Sequence, residues 1–236
     1  MIYVTGDKHG SLQLNDLCAT NWPEGQELSK NDYLIIAGDF GGVFYGDDRD
    51  EKVLDFYSAC SWTTLFIDGN HENSELLAKY PVTEWNGGKA QYIRPSIIHL
   101  MRGQVYTIDD KTFFTMGGAT SVDKDYRIEG KSWWRYELPS GEEYCEADKN
   151  LLARNDSVDY VITHCCSARQ YYRFAAAHFH SFVRDSLTDY LDELEKRLAF
   201  KHWYYGHHHQ DINVDEKHTM LCRKVIKIED KQYGKI

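Results

Sequence analysis

The chain has 236 residues, 42% of them hydrophobic and 27% charged, with a formal net charge of −10. That balance excludes a disordered polymer and allows one sizeable core, while the acidic surface argues against tracking an extended nucleic-acid backbone, which needs a basic face. Six cysteines without a CxxC pair fit reduced thiols rather than a disulfide framework, and with no apolar leader after Met1 and no run of membrane-spanning length a cytoplasmic protein without a membrane partner is expected.

No repeat, low-complexity tract or Pro/Ser-rich linker interrupts the chain, so residues 1–236 are expected to form one domain. In chain order, a strand is predicted over Ile2–Thr5, a helix over Ser11–Trp22, a strand over Tyr33–Ala37 and a helix over Asp48–Cys60. A strand over Thr64–Asp68 and a helix over Asn73–Tyr80 follow. Residues 88–119 read as short strands with turns at Arg94-Pro95, Arg102-Gly103 and Asp109-Asp110. Next come a strand over Tyr160–Thr163 and a helix over Ser181–Phe200. That helix shows an apolar stripe of Phe182, Val183, Leu187, Tyr190, Leu191, Leu194 and Leu198, and Glu193 and Arg197 are spaced for an i,i+4 pair. A strand enters "HWYYGHHH" (202–209), and short strands fill Ile212–Ile228. Continuous apolar runs fit strands covered on both faces. Alternating with helices, and followed by a β-rich second half, they predict an α/β (α+β) fold. Its expected form is a four-layer α-β-β-α sandwich of two mixed sheets with outer helices.

Each buried strand ends in a polar cluster. Asp7 and His9 follow the first, Asp39 the second, and Asn70, His71 and Glu72 the third. His164 follows the fourth, and His207 and His209 the fifth. Singly, each is ordinary turn chemistry. Together, five strands deliver metal-type ligands at the ends where layered α/β proteins build their sites. If residues 203–209 are extended, His207 and His209 share one side and His208 takes the other.

The ordered set "GDKHG" (6–10), "GDFGG" (38–42), "GNHE" (69–72), "THCC" (163–166) and "GHHH" (206–209) resembles the calcineurin-like metallophosphoesterase superfamily. The resemblance implies that Asp7, His9 and His209 hold one metal ion, that Asn70, His164 and His207 hold a second, and that Asp39 bridges them. Imidazole and carboxylate donors suit two divalent transition-metal ions, manganese first with iron or zinc as alternatives. A shared carboxylate keeps such ions about 3.5–4 Å apart and lets a water between them ionise near neutral pH. The implied reaction is in-line hydrolysis of a phosphate ester by that hydroxide, with no covalent enzyme intermediate. His71 would stand beside the phosphate as a catalytic group rather than a ligand, to protonate the leaving oxygen or steady the transferring group. Phosphomonoesters come first as substrates, diesters of nucleotides or cyclic nucleotides second, and a non-catalytic metal-binding scaffold third.

Two positions depart from the protein-phosphatase branch of that superfamily. Gly42 stands where the branch has an Asp that orients the histidine, and Asp68 where it has a phosphate-gripping Arg. The substrate, whether a phosphorylated small molecule, a nucleotide or a phosphoprotein, must then find cations elsewhere. Arg127 is the first candidate, in a loop at 117–143 that also holds Lys124, Lys131, Arg135, Trp133 and Trp134. Arg169 and Arg173, after His164, form a second candidate wall. Cys165 and Cys166 are expected to be small buried residues, and His178, His180, His202 and His218 to lie outside the site.

Overall fold

A computed structural model describes residues 1–175 and 182–229. The chain opens with strand β1 (Ile2–Thr5), then β2 (Tyr33–Ile36), helix α1 (Asp48–Ala59), β3 (Thr63–Phe66), the short helix α2 (Ser74–Leu77) and β4 (Val82–Trp85). Strands β5 (Gly88–Arg94), β6 (Ile97–Leu100), β7 (Gln104–Ile108) and β8 (Lys111–Met116) form the central β-rich stretch. Helix α3 (Gly141–Leu152), β9 (Tyr160–Thr163), helices α4 (Ala168–Ala175) and α5 (Ser186–Arg197), and β10 (His202–Tyr205) follow. The short strands β11 (Ile212–Asn213), β12 (His218–Met220) and β13 (Ile226–Lys227) come last.

Two mixed sheets result, in the orders β13-β1-β2-β3-β6-β5-β4 and β11-β12-β10-β9-β8-β7. Strands β1, β2, β3 and β6 run parallel in one sheet, and β8, β9, β10 and β12 in the other. The strands alternate between two cores. Ile2, Val4, Ile35, Leu65 and Ile67 face Phe113, Tyr160, Ile162 and Tyr204 across the space between the sheets. Tyr3, Leu34, Ile36 and Phe66 turn outward against Val53, Leu54 and Tyr57 of α1. Ala147, Leu151, Leu187, Leu191 and Leu194 of α3 and α5 cover the outer face of the second sheet. Every such strand is apolar on both sides, hence the unbroken apolar runs. Each buried aliphatic side chain contributes about 1.5–3 kcal/mol. The four-layer α-β-β-α sandwich is therefore present.

Several local expectations differ. No α-helix forms over Ser11–Trp22; two 3-10 turns, Leu14–Leu17 and Pro23–Glu27, take its place. Gln13 gives the first turn no side-chain cap, and Asn21 Nδ2 donates to the Asn15 carbonyl at 2.7 Å, a local bond that competes with a helix. The helix expected over Asn73–Tyr80 shrinks to one turn capped by the Asn73 side chain. Ser181, the expected start of the longest helix, lies outside the described residues, and α5 begins at Ser186 with a capping box from Asp185 and Thr188. Leu187, Leu191, Leu194 and Leu198 are buried as its stripe requires, but Val183 is exposed. Glu193 and Arg197 do not pair: Lys196 takes Glu193, and Arg197 reaches Asp148 and Asp156. Helix α3 has a capping box, Ser140 with Glu143, whose spacing is visible in "SGEE". Among the described residues no helix is long and apolar enough to cross a membrane.

Candidate metal centre

Because β1, β2 and β3 are parallel, as are β9 and β10, each set opens its carboxyl ends in one direction. The loops there are tied by backbone bonds: the N–H groups of Lys8 and His9 both donate to the Asp39 carbonyl, at 3.0 and 2.7 Å. Four side chains of the cluster sit on left-handed backbone, with φ of 44° at His9, 49° at Asp39, 68° at His207 and 53° at His209. Such conformations cost about 1–3 kcal/mol each and collect at functional sites. They also correct one expectation. Residues 206–209 are not extended, since β10 ends at Tyr205. His207 and His209 reach the cluster through two left-handed turns rather than strand alternation. Gly69 is required here, because a Cβ would lie 2.1 Å from Asp39 Oδ1 and 2.7 Å from His164 Nε2.

Ligand atoms of Asp7, His9, Asp39 and His209 all lie within 4.8 Å of one another. His209 Nε2 is 3.2 Å from Asp7 Oδ2, and His9 Nε2 is 3.7 Å from Asp39 Oδ2. On the other side, His164 Nε2 stands 3.1 Å from Asn70 Oδ1 and 3.4 Å from the same Asp39 Oδ2. The His207 ring lies 5.1 Å from the His164 ring, centroid to centroid, and its backbone N–H donates to Asp7 Oδ1 at 2.8 Å. All seven predicted ligand positions are thus brought together, with one oxygen of Asp39 between the two groups.

The donor set fits cations. His164 Nδ1–H donates to the Ala37 carbonyl at 2.8 Å, which fixes the tautomer and turns Nε2 toward Asn70 Oδ1 and Asp39 Oδ2. Three acceptors then face one gap, and only a proton or a metal ion reconciles them. Asp7 Oδ2 is likewise buried without a hydrogen-bond partner. Burial lowers the basicity of His164, yet Asp39 and Asp7 overcome it and push the group up to about 10. Burial raises Asp39, but the His164 charge and hydrogen bond outweigh it and hold the carboxyl well below the usual range. Desolvation drives His207 well down, with the His164 charge adding to the effect, so its imidazole stays neutral. Imidazole nitrogens, carboxylates and one amide oxygen are donor types that suit transition-metal ions.

Arg127 lies over His71, with Nη1 and Nη2 each 3.2 Å from a ring nitrogen. Asp123, at 2.7 Å, and the Ser132 carbonyl, at 3.1 Å, hold the guanidinium there. Trp134 anchors this loop, buried edge-on against Phe44 at 5.1 Å, and Phe44 in turn lies 6.4 Å from the His71 ring. His71 donates its backbone N–H to Asp39 Oδ1 at 2.8 Å. Burial lowers its basicity, and Arg127 lowers it further against the pull of Asp39.

The second wall stands elsewhere. Arg169 is exposed, with its backbone N–H on Asp192, and Arg173 pairs with Asp215 at 2.6 Å. Neither guanidinium meets the seven donors among the described contacts. Arg135 pairs with Glu129. Cys165 and Cys166 are buried, as expected. His202 and His218 bond Thr219 and Asp215, away from the cluster, and His178 and His180 lie outside the described residues.

Two groups have roles that the motif order does not disclose. Glu72 is buried and accepts the Gly41 N–H on one oxygen at 2.9 Å and the Gly69 N–H on the other at 2.6 Å, clamping two ligand loops together. Burial and Asp39 push it up to about 8 against those two bonds. Asp68 faces inward, bound by Arg102 Nε at 2.8 Å and by His99 at 3.3 Å.

A family model described as "Calcineurin-like phosphoesterase" matches residues 1–211. No curated protein matches the chain.

Proposed function

The chain belongs to the calcineurin-like phosphoesterase family, a family of metal-dependent phosphoester hydrolases, and we propose that this member is a phosphomonoesterase working with two divalent transition-metal ions, manganese first. The observation that carries the proposal is Asp39 Oδ2, a buried carboxylate oxygen 3.4 Å from His164 Nε2 and 3.7 Å from His9 Nε2, in reach of both donor groups. Asp7, His9 and His209 would hold one ion, Asn70, His164 and His207 the other, and Asp39 both. Bound there, the ions supply Lewis acidity that neutralises phosphate oxygens and acidifies a water.

The protein's own residues complete the site. His71, held by its backbone on Asp39, hydrogen-bonds the phosphate or the leaving oxygen. Arg127 supplies the cation that Asp68 cannot. Its position over His71 supports a monoester, whose extra non-bridging oxygen needs a further donor. The expected substrate is a phosphorylated small molecule. Arg169 and Arg173 take no part in this reading, since Asp215 already engages Arg173. Preferential turnover of bis-p-nitrophenyl phosphate over p-nitrophenyl phosphate would reverse the order and favour a phosphodiesterase.

A charge-assisted hydrogen bond contributes about 1.5–3 kcal/mol. Arg127→Ala should therefore lower kcat/KM for a monoester by about 10–100-fold and leave metal affinity at the wild-type value. A variant with full kcat/KM would remove Arg127 from the site.

A further inference from the structure

Asn70 offers an ambiguity that the carboxylate and imidazole ligands do not. Its amide has an oxygen that can face a metal ion and a nitrogen that cannot. Something must decide which end turns inward. Asn70 is buried, and its Nδ2 lies 3.1 Å from Ser121 Oγ, itself buried, while Oδ1 faces His164. Ser121 is itself held in place one step further out, where its backbone N–H donates to the buried Glu137 carboxylate, at 3.1 Å to Oε1. Seated there, Ser121 Oγ accepts from Asn70 Nδ2, so the amide nitrogen is satisfied away from the metal pocket and the oxygen is left facing it; without that hydroxyl the buried Nδ2 has lost this acceptor.

We propose that Ser121 is a positioning residue, which together with Glu137 fixes the metal-binding end of the Asn70 amide. The inference rests on the two-ion reading above. Ser121 touches none of the reacting atoms, and it acts through Asn70 alone. Outer-shell partners of this kind typically change metal affinity 10–100-fold when removed.

The test is a calorimetric titration of the metal-free chain with Mn2+, comparing wild type, Ser121→Ala, Asn70→Asp and the double variant. In Ser121→Ala one of the two ions should bind about 10–100-fold more weakly, with the other unchanged. Asn70→Asp presents two equivalent oxygens, so orientation no longer matters. In that background the Ser121→Ala penalty should shrink to about twofold or less. Unchanged affinity in Ser121→Ala, with wild type taking two ions, would overturn this role and leave the two-ion reading intact. An equal penalty in the Asn70→Asp background would also overturn it, by revealing general loosening. A wild type that binds fewer than two ions would overturn both.

Discussion

Asp39→Asn is expected to reduce kcat by about a thousandfold while leaving the far-UV circular dichroism of the wild type. The substitution keeps the shape and one oxygen, so the bond from the His71 N–H can persist. It removes the charge that serves both donor groups and sits 3.4 Å from His164. Pre-organised electrostatic stabilisation of this kind is worth about 10²–10³ per donor in other enzymes, and in the proposed centre one oxygen would support two ions. The check is steady-state kinetics on a phosphomonoester. Turnover within tenfold of wild type in a folded variant would show that no shared carboxylate is needed.

Arg102→Ala is expected to destabilise the fold by about 3–5 kcal/mol, the usual cost of removing one partner from a buried ion pair. Asp68 and Arg102 are both buried, joined by contacts of 2.8 and 2.5 Å, and Arg102 also donates to the Tyr136 and Glu137 carbonyls. Among the described residues, the charge left on Asp68 would keep the His99 contact alone. Replacing both partners, as Asp68→Asn with Arg102→Met, should recover much of the loss, because no isolated charge remains. Burial raises Asp68, but Arg102 holds it well below its ordinary value of 3.8. Its stabilising contribution is therefore complete above that value and is lost as pH falls toward the lower native one. Denaturant titrations of the two variants read both effects. An Arg102→Ala loss below about 1 kcal/mol would mean that water reaches Asp68.

The framework was legible where physics is local. Ile2–Thr5 and Tyr160–Thr163 are strands with the predicted bounds, because both faces of each are covered and apolar runs mark them. The clustering of the seven candidate donors was legible because they follow such strands directly. What escaped depends on partners remote in sequence. Residues 11–22 have helical spacing, but Asp16 is claimed by Arg223, 207 positions away, and by Lys8. Arg197 prefers Asp148 and Asp156 to the neighbour four residues back. Asp68 stands at the position of a phosphate-gripping Arg, and its actual partners, Arg102 and His99, are more than thirty residues away in the chain. The path of His207 and His209 depends on two left-handed residues that no pattern announces, since positive φ is uncommon at any residue other than glycine.

The most direct test of the two-ion centre is a calorimetric titration of the metal-free wild-type chain with Mn2+, run in buffers of different ionisation enthalpy. His164, pushed up to about 10 before metal arrives, must give up its proton to free Nε2. Two ions per chain should bind, with at least one proton released at neutral pH. A single ion per chain would contradict the convergence of these donors on a shared Asp39.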